Sequence, residues 1–321
     1  MKTATKIWIW TATTLVLIGL IIFVGVMTML KWDFGKLSTA KYEENSYEVL
    51  ESYQCISILT DTADIVFVPS VSETGSAVTC YEQQNAKHSV TVKDGTLTIE
   101  LVDTRKWYEF IGINFSTPKI TVALPESEYG KLLIKASTGD IKIPNGFGFE
   151  SMDITLSTGD VASNASALGG VKIKTSTGDI HLENLSAGSL DLSVTTGKVT
   201  LSQVNCKGAL QLQVSTGKSN LSDIHCKSLA SNGNTGDLTL KNVIATEGFS
   251  ITRSTGDVRF EACDAAEIFV QTDTGSITGS LLSPKVFLAK TDTGRINVPN
   301  TVTGGKCEII TDTGNIKITL D

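Results

Sequence analysis

The sequence has few of the residues that carry catalytic or metal chemistry, and their arrangement excludes several functional classes. Its 321 residues contain 3 histidines and 6 cysteines. The cysteines, at 55, 80, 206, 226, 263 and 307, make no C-x-x-C pair and no histidine-spaced set, so neither a zinc site nor a thioredoxin-like motif is indicated. No G-x-S-x-G elbow accompanies His88, His181 or His225, and the calcium nonapeptide G-G-x-G-x-D and the EF-hand loop are both missing. No cofactor, metal or catalytic residue is therefore expected. Positive charge is also short. Against 34 acidic residues stand 27 Lys and Arg, a net charge of -7 and a pI near 5.1, which leaves no basic footprint for nucleic acid. Only 6 prolines interrupt the chain, while 28 glycines mark one that turns tightly and often.

One long apolar run stands out. Residues 7 to 30 carry no charge, and these 24 residues would reach roughly 36 Å as a helix, enough to span a bilayer. Trp8 and Trp10 flank one end and Trp32 the other, where interfacial anchors belong. A cleavable signal peptide is the rival, but its apolar core is shorter and ends in small residues, whereas this run ends Val26-Met27-Thr28-Met29-Leu30-Lys31. The expected layout is a cytoplasmic stub at 1–6, a transmembrane helix at 7–30, a juxtamembrane stalk at 31–46, an N-terminal β cap region at 47–131 and β-solenoid repeats at 132–321. Lys2 and Lys6 against Lys31, Lys36 and Lys41 nearly balance the positive-inside count. The short tail inside and the remainder outside is the expected orientation, by analogy with signal anchors.

From Leu132 onward one turn recurs. Ser137-Thr138-Gly139-Asp140 returns as Ser157-Thr158-Gly159-Asp160 and Ser176-Thr177-Gly178-Asp179, then in looser form to Asp312-Thr313-Gly314-Asn315. Its glycines are Gly139, Gly159, Gly178, Gly197, Gly217, Gly236, Gly256, Gly275, Gly294 and Gly314, spaced by 19 or 20 residues with no insertion, the signature of a repeat architecture. The residue seven before each glycine is apolar in all ten copies, and the residue two after it in nine, with Ser219 the exception. These are period-two patterns, so a strand enters and a strand leaves each turn with one face buried. A single-layer meander would leave that face uncovered, whereas a solenoid encloses it. The fold expected is all-β, a solenoid of ten coils rising ~4.8 Å each, with glycine serving the positive-φ turn. Thr60-Asp61-Thr62-Ala63-Asp64-Ile65 reads as a degenerate first copy, and Asp94-Gly95 as a two-residue hairpin turn within the cap. Trp107, Tyr108, Phe110, Ile111, Ile113 and Phe115 are expected to close the N-terminal end of the core.

The residue after each glycine makes a candidate surface ladder: Asp140, Asp160, Asp179, Lys198, Lys218, Asp237, Asp257, Ser276, Arg295 and Asn315. In the last three copies an aspartate instead stands two before the glycine, as Asp273, Asp292 and Asp312. Such a stripe could bind cations or a cationic polymer, or hold a glycoside-cleaving carboxylate pair. The expected role is instead structural, each side chain bonding the N-H groups of its own turn. Two carboxylates ~4.8 Å apart in water repel by only about 0.9 kcal/mol, comparable to one such bond, so repulsion does not forbid the structural role. Cys206 and Cys226 fall at the same angular position in adjacent coils, within disulfide reach, but stacked thiols are the expectation.

The S-T-G-D-[IV] turns, the preceding A-D-I-V-F-V segment, the K-D-G-T-L-T-I hairpin, the T-V-A-L-P-E-S strand and the N-terminal anchor together resemble the bacterial β-strand-repeat family of unknown function often labelled "putative adhesin". The resemblance covers residues 47 to 321. It implies a right-handed parallel β-solenoid, a bacterial cell-envelope location and, for some members, a link to envelope stress responses. It brings no established active site. The function expected is a non-enzymatic, membrane-anchored envelope protein presenting an interaction or adhesin-like surface to a cell-wall polymer, an envelope protein or another copy of itself. A polysaccharide-active β-helix enzyme and a membrane-anchored cytoplasmic scaffold are the alternatives.

Overall fold

A computed structural model of the protein describes residues 3–33, 41–70, 75–107 and 116–321. Helix α1 (Thr3–Met29) begins four residues before the charge-free run and ends one residue inside it. Within the charge-free run, Thr11, Thr13, Thr14 and Thr28 each donate to the carbonyl four residues back. Those four hydroxyls therefore need no water, which suits a helix in lipid. Lys31 and Trp32 then turn the chain with φ of 56° and 59°.

The solenoid is held by parallel pairing in exact repeat register. Leu132, Met152, Val171 and Leu190 stack one on the next, and so do Ile141, Val161 and Ile180 on the other strand of each coil. Both columns are buried, so each coil covers the apolar face of its neighbours and the strands enclose a continuous aliphatic core. At the turn, the ten ladder glycines have φ between 131° and 159°. A Cβ on Gly159 would stand 2.0 Å from the carbonyl oxygen of Gly139, and one on Gly178 2.0 Å from that of Gly159. Glycine is therefore required twice, by the backbone conformation and by the approach of the next coil. A second corner lies six residues further on, where Asn184, Gln203, Asp223, Asn242 and Ala262 adopt φ of 50–56° without a glycine. Asn and Asp favour that conformation more than other side chains do, which is the one cue the sequence offers for it.

The N-terminal end is built from strands β1 (Tyr42–Val49), β2 (Cys55–Leu59), β3 (Asp64–Pro69), β4 (Ser76–Gln83), β5 (Ala86–Lys93), β6 (Thr96–Asp103) and β7 (Lys119–Leu124). β2 and β3 form a coil of the main stack, although they lie within the 47–131 segment. Ile56 pairs with Leu132, Ile65 with Ile141, and Ala63 occupies the ladder position beneath Gly139. β6 and β7 then stack in parallel on β2 and β3 as a further coil, out of chain order. Antiparallel strands finish this end: β5 on β6 through the Asp94-Gly95 turn, β4 on β7 and β1 on β4. The run 108–115 of the expected aromatic cap and residues 34–40 of the expected stalk lie outside the described residues.

At the other end the coils are not stacked in the order in which the chain lays them down. The strand Gly305–Thr313 pairs on one side with Val258–Thr274 and on the other with Lys285–Thr293, so the Gly314 coil is inserted between those of Gly275 and Gly294. The glycine contacts agree: a Cβ on Gly314 would meet the Gly275 carbonyl and one on Gly294 the Gly314 carbonyl. This corrects the simple expectation that each repeat rests on the one before. The physical reason lies in pairing capacity. The Gly314 coil leaves its turn as the five-residue strand Ile316–Leu320, whereas Ile296–Asn297 pairs over two residues and is followed by Pro299. A proline-terminated coil loses least at an edge.

Two outcomes test this architecture. Gly159→Ala should cost at least about 2 kcal/mol in urea unfolding, while the exposed turn variant Ser157→Ala stays within about 0.5 kcal/mol of the parent. Cysteines placed at Gln271 and Ile310, which are register partners, should crosslink on oxidation. Cysteines at Gln271 and Lys290, which flank Ile310 from opposite sides, should not.

Candidate functional site

The ladder after the glycines is a hydrogen-bonded column running along the stack. Asp64 Oδ1 accepts from the backbone N-H of Asp140, Asp140 from that of Asp160, Asp160 from that of Asp179 and Asp179 from that of Lys198, at 2.7–3.0 Å. The column resumes with Asp237 accepting from Asp257 N-H and Asp257 from Ser276 N-H, then continues through Ser276, Asn315 and Arg295 in the swapped order. Each side chain thus serves the turn of the next coil, rather than its own turn. The break falls where the lysines stand, because an ammonium cannot accept a bond. Lys218 instead lies 3.1 Å from Asp237. The Asp257 N-H and then the Lys218 ammonium hold the Asp237 carboxyl below the usual carboxylate range. With one oxygen of each bonded carboxylate engaged, the column acts as a splint between coils. Each bond contributes on the order of 1 kcal/mol.

The cysteines are all free, and every one except Cys55 is buried. Burial pushes Cys226 up to about 12, with its neighbour Cys206 adding to the effect, and it likewise pushes Cys307 up to about 12. Thiols held protonated in this way are poor nucleophiles and poor redox centres. His181 stands 3.6 Å from Glu183 on the surface.

His88 is different, and sequence spacing alone did not reveal it. The β4–β5 hairpin turns between Gln83 and Ala86, bringing Glu82 and His88 together inside the cap at 1% and 3% exposure. Glu82 Oε2 accepts from both the backbone N-H of His88, at 2.6 Å, and its Nδ1, at 2.7 Å. Glu82 Oε1 accepts from Asn45 Nδ2. His88 Nε2 lies 2.8 Å from Thr60 Oγ1, and the His88 carbonyl accepts from Tyr47 OH. Cys80, whose thiol burial pushes up to about 12 with the Glu82 charge adding to it, completes the only group of three metal-capable side chains among the described residues. Those three lie within mutual ligand reach, but Glu82 and His88 already satisfy each other. The signal available in the sequence was a Glu and a His at inward positions of two paired strands, since a fully buried Glu needs a partner. A cleft of about 370 Å³ opens beside this network, lined in part by Tyr42, Asp61, Gln83, His88 and Arg105.

On the outer surface, an open groove of about 800 Å³ crosses several coils. Gly248 and the half-buried Phe269 lie in it, with Glu247, Glu267, Glu308 and Lys306 around them. An aromatic ring among carboxylates and an ammonium suits an extended polar partner that also offers apolar faces. Beyond it, the terminal coil leaves Leu288 and Ile296 about half exposed.

The sequence model of the Toastrack DUF4097 family matches residues 53–319. No curated protein matches the chain. Among solved structures the chain is similar to a "putative lipid binding protein" from Parabacteroides distasonis, at 16% identity over 74% of this chain and 96% of that one, with a TM-score of 0.51. It is also similar to a "putative adhesin" from the same species, at 15% identity over 88% and 98%, and to one from Parabacteroides merdae, at 10% identity over 88% and 97%, both with TM-scores of 0.49. At these identities the likeness concerns the fold alone.

Removing half of the buried pair should be worse than removing both. Glu82→Leu should cost about 3–5 kcal/mol in chemical denaturation because it strands His88, and Glu82→Leu with His88→Leu should cost less than that single change.

Proposed function

This chain belongs to the Toastrack DUF4097 family, and from that premise we propose that it is a non-enzymatic, membrane-anchored cell-envelope protein whose solenoid presents an adhesin-like surface. The observation that carries the proposal is the helix. Thr5–Met29 is long and apolar enough to cross a membrane, and almost none of it is covered by the rest of the chain. Leaving that much apolar surface in water is costly, so a bilayer is its natural solvent. The proposed layout keeps the stub at 1–6 inside and the solenoid outside. The surface offered to a wall polymer or envelope protein is the groove around Phe269, since the ladder carboxylates already splint the coils. The resemblance extends the proposal to the envelope stress response.

A second reading, hydrolysis within the cap, is favoured by one observation, the hydroxyl–imidazole–carboxylate alignment of Thr60, His88 and Glu82. Thr60→Val would abolish ester or glycan turnover by the purified chain if this reading held.

Introduction of a cysteine at Lys218, whose side chain is 68% exposed, tests the topology. With the partly exposed Cys55 replaced by serine and the other native thiols buried, an impermeant maleimide should label the introduced cysteine on intact cells, and labelling only after lysis would support the cytoplasmic scaffold instead. In parallel, the detergent-solubilised chain should be retained by purified cell wall, with Phe269→Ala reducing retention several-fold. Equal retention of parent and variant would remove the groove from the proposal.

A further inference from the structure

Two cations are buried in the solenoid, and only one has a counter-charge. Lys285, 4% exposed, reaches Asp264 Oδ1 at 2.7 Å and also bonds Ser283. Arg253, 1% exposed, makes a single hydrogen bond, from Nη2 to Ser231 Oγ at 2.8 Å. Its Nε and Nη1 have no partner, and neither does the buried hydroxyl of Ser219. Among the described residues these are the only buried side-chain nitrogen or oxygen atoms left unpaired.

The surroundings of Arg253 depart from the repeat in a concerted way. It stands three residues before Gly256, a position where Thr175, Thr272, Thr291 and Thr311 donate to ladder-glycine carbonyls of other coils. Its register partner one coil below is Gly233, and a Cβ there would lie 1.8 Å from Arg253 Nη1. The guanidinium therefore lies across the one position in that column with no side chain. Ser231 and Ser219 are the only polar residues in two otherwise apolar columns, five before and two after the ladder glycine. Ser231 is one coil below Arg253 and Ser219 two, on the side toward which the guanidinium runs. Four exceptions to the apolar core thus fall within three successive coils, with Ser231 and Gly233 in contact with the guanidinium and Ser219 one coil further on.

The chemistry of this cluster is one-sided. Burial pushes Arg253 down to about 10 and no carboxylate contributes, so the group remains cationic at neutral pH without a protein counter-charge. A buried charge without compensation is strongly unfavourable. The unpaired guanidinium N-H groups can only donate, and the Ser219 hydroxyl is free to donate with them. An acceptor-only partner suits such a set better than water, which must also place its own protons.

We propose that the solenoid core holds a small monovalent anion, chloride in ordinary buffers, bound by Arg253 Nε and Nη1 and by the hydroxyl of Ser219. A single-atom ion needs the least room between stacked coils, and it supplies the counter-charge that Asp264 supplies to Lys285.

The full chain, purified throughout with bromide in place of chloride, provides the direct test by anomalous diffraction. A bromide peak within about 3.5 Å of Arg253 Nε and Nη1 is expected. Ordered water at those atoms with no anomalous peak would overturn the proposal. Thermal unfolding in chloride against gluconate at constant ionic strength gives a second readout, in which saturating chloride should raise the midpoint by at least about 2 °C. Arg253→Met should abolish that dependence whatever its own stability. Should Arg253→Met fail to fold, Ser219→Val should reduce the chloride dependence. A parent midpoint indifferent to chloride, or an undiminished dependence in the variant measured, would count against the site.

Discussion

The structure depends on one close approach, repeated from coil to coil at the Thr-Gly turn. Each ladder glycine sits with the carbonyl of the residue below it, Ala63 for Gly139 and a glycine for the others, where a Cβ would be, and it does so at a φ that other residues rarely adopt. Because this contact is made backbone to backbone, the coils meet in one register only. The aliphatic columns on either side follow from that register. Leu132, Met152 and Val171 cover one another because the glycines beside them do. The aspartates then exploit the same stacking, each carboxylate reaching the amide of the coil above. A motif that repeats this insistently invites a reading as a binding site, yet its side chains are largely occupied in holding the stack together.

A parallel stack has two open ends, and this chain treats them differently from its middle. At the N-terminal end the strands change direction, and antiparallel β4 and β5 cover a coil assembled from segments separated in sequence. At the C-terminal end the final repeat moves inward and leaves a coil with a two-residue strand and a proline at the edge. The second device shortens the pairing edge on one side of the last coil to two residues, while Lys285–Thr293 remains a nine-residue edge strand paired on one side only. The second leaves apolar side chains such as Leu288 half exposed, so the two ends differ in the surface they present as well as in their pairing.

The polar groups inside the core are the other departure from uniformity, and they divide into two kinds. Asn45, Glu82, His88, Thr60 and Tyr47 form a closed network that specifies how the cap hairpin seats against the first coil. Arg253 with Ser219 is an open set, with donors left over. The two kinds were unequally legible. Ser219 is visible as the one break in an apolar column of the sequence. Glu82 and His88 look like ordinary surface residues until the hairpin between them is closed. The φ-positive corner at Asn184, Gln203 and Asp223 was similarly hidden, because its occupants vary and no glycine marks it.

What the sequence determined by itself is local and periodic. The spacing of the glycines, the alternation of apolar residues around them and the charge-free run before them were enough for the solenoid, its turn and a helix long and apolar enough to cross a membrane, because each rests on residues near one another in the chain. Only the tertiary structure decided which coil lies beside which. Every repeat offers nearly the same apolar face and the same turn, so local pattern cannot distinguish the Gly294 coil from the Gly314 coil as the neighbour of Gly275. Ladder pairing and edge geometry make that choice. The same holds for Arg253: its charge is plain in the sequence, but the absence of a carboxylate beside it exists only once the coils are stacked.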